Sequence, residues 1–408
     1  MNQLLDLAAR QVAADLRAAP EAARRRFSAE GRVERCRTIE ELRTLAKRTL
    51  PRPVFDFVDG AANDEVTYRR NRAGFERVAL RPRALVDVSS IDMATTVLGR
   101  EIALPIVAPP TGLTGLVHPD GEAAIARAAH AVGTIYTQSA LSSLSIEEVH
   151  AAAPGPKWFQ LYVLTDRELV YELLARASFA GYEALVLTVD VAVAGVRDRD
   201  VRNGFSVPPR LTLRSLAQGV THPRWSAGFV ARPRISPGNF ALAGGAASHA
   251  AFVNRQFDPT VTWDDLAVLR EHWHGPLVIK GIMRADDAVR AVEHGVDAII
   301  VSNHGGRQLD HAQATIEALP QVAAAVDGRA EVYLDSGVRR GTDVIKALAL
   351  GARAVLVGRP LVYGLGAAGE AGALRAFELL RGELATALAL AGYPRVSELG
   401  PDAVRVRA

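Results

Sequence analysis

The chain of 408 residues contains a single cysteine, Cys36, which excludes a disulfide framework and cysteine-rich zinc or iron–sulfur sites. No apolar run approaches the roughly 18–20 residues that a membrane-spanning helix needs. The N-terminus does not resemble an export signal, because Asp6 and Arg10 interrupt its apolar stretch and no basic segment precedes it. We therefore expect a cytoplasmic protein without a metal site.

Lysine is also scarce. It occurs only at positions 47, 157, 280 and 346, so arginine supplies 48 − 4 = 44 of the basic residues. The net charge of +3 is dispersed, and its one local cluster, Arg24 to Arg26, is short. A solvated helix face explains that cluster better than a polyanion site does, and we expect no nucleic-acid partner. The lysine at position 280, inside an apolar run, is the exception that calls for a function.

From about residue 100, short apolar runs alternate with longer stretches of helical periodicity. Continuous apolar runs are typical of parallel strands that helices cover on both faces. Eight such units predict a (β/α)₈ barrel, with a doubly wound open sheet as the alternative. The runs are Leu104–Ala108, Thr134–Thr137, Trp158–Tyr162, Ala184–Val189, Pro276–Lys280, Ala298–Val301, Ala330–Leu334 and Ala354–Val357.

Three segments lie outside the predicted barrel. Residues 1–84 are predicted to form an N-terminal helical extension and lid, and residues 85–408 the barrel domain with C-terminal helices. A segment at about 208–263 interrupts the unit after strand 4 and is far longer than the usual ~2–6 residues. It predicts a lid, an interaction or membrane-docking loop, or a partly disordered segment. Ala371 to Leu390 is predicted to form a final helix pair.

Polar residues follow each predicted strand, where active residues of such barrels lie. Glycines and arginines together follow strands 7 and 8, which is typical of a phosphate site, although Gly337 and Gly358 also suit simple turns. The strand ends, in order, are Thr111 and Gly112; Ser139; Gln160 and Tyr162; Thr188 and Asp190; Lys280; Ser302, His304 and Arg307; Asp335, Ser336, Gly337 and Arg339; and Gly358 and Arg359.

A phosphate site beside polar strand ends predicts a phosphorylated planar cofactor across the barrel mouth. Lys280 can balance negative charge on such a cofactor, unless its side chain simply extends to solvent. Gln160, Thr188 and Ser302 suit the edge of a pyrimidine-like ring.

His304 is the candidate base, because an imidazole titrates near neutrality and can accept a hydroxyl proton. Asp190 can orient the ring, and Arg197 and Arg307 can bind a carboxylate. A capping or solvent-exposed histidine is the alternative.

These residues resemble a known family. Ser302 to Asp310, with the sequence SNHGGRQLD, is similar to the signature of FMN-dependent 2-hydroxy-acid oxidases and dehydrogenases. Phe159 to Tyr162, Lys280-Gly281 and Arg339 to Gly341 agree with it, and the resemblance extends from about Thr38 to Tyr393. Within the family, the chain most resembles the membrane-associated mandelate and L-lactate dehydrogenases.

The resemblance implies a role for each candidate. His304 would be the base and Asp190 its partner, and Lys280 would lie near the flavin N1/O2 edge. Tyr162, Arg197 and Arg307 would bind the substrate. The FMN phosphate would be held by Asp335, Ser336, Gly337, Arg339, Gly358 and Arg359. The rest of the flavin pocket would consist of Thr111, Gly112, Ser139, Gln160, Thr188 and Ser302.

Two positions carry more detailed expectations. Gly112 stands where oxidase-type members often have alanine, which favours a dehydrogenase. Phe57 stands where the family usually has a tyrosine whose hydroxyl helps to hold the carboxylate. The absence of this hydroxyl at position 57 predicts a more apolar site for a bulky or aromatic substrate.

We therefore expect oxidation of an (S)-2-hydroxy acid to the 2-oxo acid. The electron acceptor, quinone or oxygen, stays open. The alternatives are a biosynthetic flavo-oxidase acting on an amine, peptide or carrier-bound substrate, and a non-redox phosphate-binding barrel. The resemblance also implies a homotetramer and peripheral contact with the inner face of the cell membrane.

Overall fold

The structure is a computed structural model that describes residues 28–205, 219–234, 236–240 and 257–407. Leu4, Leu5, Val12 and Leu16, whose spacing in the sequence gives an apolar stripe on a helix, lie outside the described residues, as does part of the 208–263 segment. Within the described residues no helix is long and apolar enough to cross a membrane.

Eight parallel strands form the central sheet, and they coincide with the eight apolar runs of the sequence. The strands are β4 (Ile106–Val107), β5 (Tyr136–Ser139), β6 (Lys157–Leu161), β7 (Ala184–Thr188), β8 (Leu277–Ile282), β9 (Ala298–Val301), β10 (Glu331–Leu334) and β11 (Ala354–Leu356). Their hydrogen-bonded order is β4-β11-β10-β9-β8-β7-β6-β5.

The first and last strands of this order meet, so the sheet closes. A parallel bridge joins Ala108 to Tyr136, and the Thr137 N–H donates to the Ala108 carbonyl at 2.9 Å. The predicted (β/α)₈ barrel is therefore confirmed, and the open doubly wound sheet is wrong. Closure leaves no unpaired strand edge and brings all eight carboxyl ends to one face.

Helices follow the barrel strands, and most of them bury apolar side chains. Ser145 caps one of these helices with a capping box, in which its side chain and Glu148 each accept a backbone N–H. The helices are α5 (Gly121–Ala131), α6 (Ile146–Ala152), α7 (Arg167–Phe179), α8 (Asp198–Arg202), α9 (Pro223–Ala231), α10 (Asp265–His272), α11 (Ala285–Glu293), α12 (Thr315–Val326), α13 (Gly341–Ala349) and α14 (Gly358–Ala391).

In residues 28–84, the described part of the N-terminal segment, the chain forms four helices and then one strand that was not predicted. The helices are α1 (Ala29–Glu34), α2 (Ile39–Thr49), α3 (Arg52–Asp59) and α4 (Val66–Glu76). Strand β1 (Val78–Leu80) pairs antiparallel with β12 (Val404–Val406) at the other end of the chain. A hairpin of β2 (Thr95–Val97) and β3 (Arg100–Ile102) packs apolar side chains into the same core cluster as the barrel interior.

One expectation about segments outside the barrel needs correction. Ala371 to Leu390 is not a helix pair, because it belongs to α14, which starts at Gly358 and breaks once, at Ala368 and Gly369. Within the segment at 208–263, the described residues include α9, and the predicted roles of this segment stay predictions. The domain boundary at residue 84 stays a prediction.

Candidate active site

The carboxyl ends of the strands surround a cavity of about 770 Å³. Most of the predicted site residues line it, although their positions in the sequence span three hundred residues. The lining includes Phe57, Thr111, Gly112, Tyr162, Arg197, Lys280, His304, Arg307, Asp335, Ser336, Gly337, Arg339, Gly358 and Arg359. The remaining predicted residues, Ser139, Gln160, Thr188, Asp190 and Ser302, do not line the cavity.

His304 lines the cavity and forms a pair with Asp190. The His304 Nδ1 lies 2.9 Å from the Asp190 Oδ1. Because a carboxylate only accepts, we assign the proton to Nδ1, which leaves Nε2 free to accept one. Burial alone would raise the pKa of Asp190, but His304 and Lys280 outweigh it and lower that pKa. The pair thus orients the imidazole and keeps a negative charge beside it.

A bulge in β8 makes room for Asp190. The register shifts between Lys280 and Ile282, and Gly281 there has a φ of +116°. A Cβ at Gly281 would lie 2.8 Å from the Asp190 Cβ, closer than side chains approach. Glycine at this position is therefore required for the carboxylate to reach His304.

Lys280 is buried and held in place by two partners. Its Nζ donates to the Ser302 Oγ at 2.9 Å and lies 3.3 Å from the Asp335 Oδ2. Burial alone would lower the pKa of Lys280, but the carboxylates of Asp335 and Asp190 outweigh it and raise that pKa. The lysine is therefore a fixed cation at the cavity wall. Asp335 pairs with this cation through its carboxylate, and its predicted contact with the FMN phosphate stays a prediction.

Arg197 and Arg307 approach the cavity from two different loops. The Arg197 Nε donates to the Asp200 Oδ2 at 2.7 Å, whereas the Arg307 Nη1 donates to the carbonyls of Phe57 and Gly60. Burial and the neighbouring cations Arg197 and Arg359 lower the pKa of Arg307 to about 9. An anion in the cavity would relieve the repulsion between these cations.

Phe57 lies between these two arginines. Its ring centroid is 5.9 Å from the Arg197 guanidinium carbon and 5.2 Å from that of Arg307, within cation–π range. The ring also stacks on Phe205 at 4.7 Å. On the cavity wall Tyr162 meets Phe257 edge to face at 5.3 Å, and burial raises the pKa of Tyr162 to about 12. The cations are thus accompanied by an aromatic wall.

The ends of the neighbouring strands present buried polar atoms that no described group satisfies. The Ser139 Oγ donates to the Gln160 Oε1 at 2.9 Å, which leaves the Gln160 Nε2 without a partner. The Thr188 Oγ1 is also buried and without a partner among the described residues, and in register it faces Lys280. The Gln160 Nε2 donor, the Thr188 hydroxyl and the Lys280 ammonium belong to adjacent strands. Together they match the polar edge of a flavin pyrimidine ring.

The opposite end of the cavity has the features of a phosphate site. Gly337 has a φ of +95°, and a Cβ there would lie 2.3 Å from the Asn71 carbonyl oxygen, so this turn requires glycine. Gly358 begins the long helix α14, whose N-terminal N–H groups favour an anion. Arg339 is buried, and neither it nor Arg359 forms an ion pair in the described part of the chain. The residues present therefore fit FMN at both its ring and its phosphate.

Sequence reasoning missed several residues of this site. Asp200 could have been found, because it lies three residues after Arg197, which precedes the short helix α8. Phe205 carries no motif of its own. Asn71 bonds to the Asn303 side chain from 232 residues away, and only the folded chain brings them together. Among the described residues no group of three His, Cys, Asp or Glu side chains is arranged to hold a metal.

The comparisons with known proteins agree with this geometry. The family model for FMN-dependent dehydrogenase matches residues 46–406. An L-lactate oxidase of Nostoc sp. is 47% identical over 363 residues, which are 88% of this chain and 95% of that protein. A crystal structure of the monotopic membrane protein (S)-mandelate dehydrogenase is 40% identical with a TM-score of 0.89 and covers 91% of this chain and 100% of that one.

A crystal structure of mandelate oxidase is also 40% identical, with a TM-score of 0.79, and covers 90% of this chain and 97% of that one. The hypothesis of a non-redox barrel, and that of an enzyme for amines, peptides or carrier-bound substrates, fit these matches less well. The chain belongs to the FMN-dependent dehydrogenase family and is a flavoprotein oxidoreductase whose cofactor is FMN.

Proposed function

We propose that this protein oxidises an (S)-2-hydroxy acid with a bulky or aromatic side chain to the 2-oxo acid. The observation that carries the proposal is the cavity itself, where the His304–Asp190 pair lies beside two arginines and an aromatic wall. The similarity of the chain to proteins named for lactate and mandelate also supports a 2-hydroxy acid as the substrate.

The side chains divide the reaction between them. Arg197 and Arg307 bind the substrate carboxylate, and the phenol of Tyr162 contacts the hydroxyl group. FMN, when bound, supplies the acceptor for the two electrons and the α-hydrogen that the substrate loses. As the Cα–H bond breaks and the carbonyl forms, the His304 Nε2 accepts the hydroxyl proton. Asp190 stabilises the resulting imidazolium, and Lys280 balances the negative charge that reduction adds.

Phe57 is the basis for the proposed substrate size. Phenylalanine offers no hydroxyl to the carboxylate, but with Phe205 it offers an apolar surface beside the two arginines. An aromatic substrate side chain would gain from contact with this surface. A small acid such as glycolate would leave it without a partner.

Anaerobic absorbance spectroscopy of the FMN-loaded protein tests this function. We expect (S)-mandelate to bleach the flavin faster than L-lactate, and L-lactate faster than glycolate, whereas (R)-mandelate should leave it oxidised. Failure of all these acids to bleach the flavin would contradict the proposal.

For the electron acceptor, we propose a quinone rather than oxygen. Gly112 lines the cavity, and a Cβ there would lie 3.0 Å from the Leu141 carbonyl oxygen. The resemblance associates glycine at this position with dehydrogenases. Stopped-flow reoxidation of the reduced protein should be faster with a soluble quinone than with oxygen, and the opposite order would identify an oxidase.

We also propose peripheral contact with the inner face of the cell membrane, through α9. None of its side chains is buried, and Val230, Arg224 and Arg232 are exposed. Apolar and cationic side chains together suit an anionic lipid surface. In flotation with vesicles containing anionic lipid, we expect the wild type to rise with the lipid and Arg224→Glu/Arg232→Glu to stay behind.

From the resemblance we further propose a homotetramer. Light scattering of the purified protein should give about four times the chain mass, and a monomer mass would contradict this proposal.

A further inference from the structure

The loop that carries His304 has an unusual backbone. His304, Gly305 and Gly306 are three consecutive residues with left-handed φ angles of 57°, 67° and 74°. Glycine adopts this conformation freely, but histidine does so only at a cost in free energy. The loop therefore keeps its shape only where surrounding groups hold it.

Side chains hold the amide of each of these three residues. The His304 N–H donates to the Ser302 Oγ at 3.1 Å, and the Gly305 N–H donates to the Ser336 Oγ at 2.9 Å. The Gly306 N–H donates to the Asn303 Oδ1 at 3.1 Å. Ser302 and Ser336 are thus committed to the loop by their hydroxyl groups. Asn303 is the third anchor, because its Oδ1 and its backbone carbonyl, the latter at 3.0 Å, both accept from the Gly306 N–H.

Asn71 fixes the orientation of the Asn303 amide. The two amides form a reciprocal pair, in which each Nδ2 donates to the other's Oδ1 at 2.8 Å. The Asn71 Oδ1 also accepts from the Thr315 N–H at 3.3 Å, and the Asn303 Nδ2 also donates to the Gln313 carbonyl at 3.0 Å. Both side chains are buried, so water does not compete for these bonds.

We propose that Asn71 is a positioning residue that acts through Asn303 to hold His304 in the geometry for proton transfer. This inference rests on the proposed function, because it assumes that His304 is the base. Asn71 belongs to α4, outside the barrel, so the N-terminal segment contributes directly to the catalytic loop. A displacement of about 1 Å at the base is enough to slow a reaction by about two orders of magnitude.

An amide is the side chain that this position needs, because it presents a donor to the Asn303 Oδ1 and an acceptor to its Nδ2. Asn71→Ala removes both groups. Asn71→Asp keeps the size and the acceptor, but when ionised it presents a carboxylate oxygen to the Asn303 Oδ1. When protonated at lower pH, the same carboxyl regains a donor.

The test compares Asn71→Ala and Asn71→Asp with wild type and with Arg70→Ala as a matched control. Arg70 lies on the same helix and pairs with Glu317 of α12 at 2.9 Å, without contact to the loop. For Asn71→Ala we expect kcat to fall about 10- to 100-fold with KM within about threefold and FMN retained. Arg70→Ala should keep wild-type kcat.

Two further measurements separate positioning from general support of the fold. For Asn71→Asp, the ratio of its kcat to that of wild type should rise as the pH falls, because protonation restores the donor. In hydrogen exchange of a peptide spanning residues 299–309, Asn71→Ala should lose protection at the loop amides, while Arg70→Ala should not.

The inference is overturned by a kcat of Asn71→Ala within twofold of wild type, by an equal loss in Arg70→Ala, or by unchanged loop exchange. If Asn71→Ala does not fold, a flat pH ratio for Asn71→Asp overturns it instead. Hydrogen exchange does not depend on catalysis, so it still reports on the loop if the wild type oxidises no hydroxy acid. That lack of activity would contradict the proposed function but not the role of Asn71 in holding the loop.

Discussion

The charged side chains at the two ends of the cavity differ in their partners. The catalytic end contains His304, Lys280 and Arg197, and the anion end contains Arg339 and Arg359. At the catalytic end, most of the charged groups have an oppositely charged partner: His304 with Asp190, Lys280 with Asp335, and Arg197 with Asp200. At the anion end, the guanidinium groups of Arg339 and Arg359 donate only to backbone carbonyls in the described part of the chain, and that of Arg359 also lies 4.8 Å from the centroid of the Tyr68 ring. A pair fixes the orientation and protonation of a group that reacts, whereas an unpaired buried cation suits a permanent anionic ligand.

Arg307 lies at the catalytic end but, like the arginines of the anion end, has no oppositely charged partner among the described residues. Within the described part of the chain its guanidinium donates only to carbonyls, and the lowered pKa of about 9 reflects its burial beside Arg197 and Arg359. The substrate carboxylate is thus expected to bind where positive charge is least compensated. Because a substrate must also leave, one such arginine beside the paired Arg197 is a weaker anion site than the phosphate end.

The largest effect is expected from His304→Gln, which removes the base and leaves the anion end intact. We predict a fall in the rate of anaerobic flavin reduction of about 10²- to 10⁴-fold, the range for loss of a general base. FMN content, read from the visible absorbance, should match wild type. Rapid bleaching in this variant would remove His304 from the mechanism.

The second prediction concerns Asp59, a carboxylate near the anion end. Its oxygens accept hydrogen bonds from other side chains, and it forms no ion pair with Arg359. It accepts from the Arg43 Nε at 2.6 Å, the Arg199 Nη1 at 2.9 Å and the Tyr363 hydroxyl at 2.7 Å. Asp59→Asn breaks these buried ion pairs, and we expect a loss of about 3–5 kcal/mol of unfolding free energy at pH 7. Urea denaturation measures it.

The pH dependence of this loss has a defined sign. Burial alone would raise the pKa of Asp59, but its hydrogen bonds with Arg43 and Tyr363 outweigh it and hold that pKa well below the usual range. The stabilisation is therefore present above the unfolded pKa of about 3.9 and is lost as the pH falls below it. The deficit of Asp59→Asn should shrink in acid, and Asp286→Asn, which breaks an exposed pair, should show no deficit at either pH.

The sequence predicted the barrel and its mouth well, because both depend on local patterns. A buried parallel strand is a continuous apolar run, and the polar residue that ends it is adjacent in the chain, as with Lys280 in β8. Relations between distant segments could not be predicted. The pairing of β1 with β12, and of Asn71 with Asn303, joins residues that carry no matching signal in the sequence.

Individual roles were also harder to predict than positions. Ser302, Ser336 and Asp335 were expected at the cofactor, which stays a prediction; the sequence did not indicate that their side chains contact the loop amides and Lys280. A strand-end position shows that a residue is near the mouth. It does not show which neighbour its side chain contacts, since that depends on rotamers and on loops from elsewhere.

Arg339→Ala tests the anion end. Loss of one charge-assisted bond to phosphate, about 1.5–3 kcal/mol, should weaken FMN binding by about 10- to 150-fold. Arg340→Ala is the matched control, because Arg340 is the next residue in the chain and its guanidinium is exposed and pairs with Glu383 at 3.1 Å. Fluorescence titration of the apoprotein with FMN measures both, and equal weakening in the two variants would argue that Arg339 does not contact the phosphate.

The smallest effect is expected from Phe57→Tyr, which adds a hydroxyl between Arg197 and Arg307. Because both arginines already offer donors to the carboxylate, one further bond should lower KM for L-lactate by only about three- to tenfold, below the full value of a bond to a charged group. For (S)-mandelate the change should be smaller, since the added hydroxyl makes the aromatic surface more polar. Steady-state kinetics with both acids measure this shift. An unchanged ratio of kcat/KM between the two acids would mean that Phe57 does not select for substrate size, and that the size limit must come from Phe205 or Phe257.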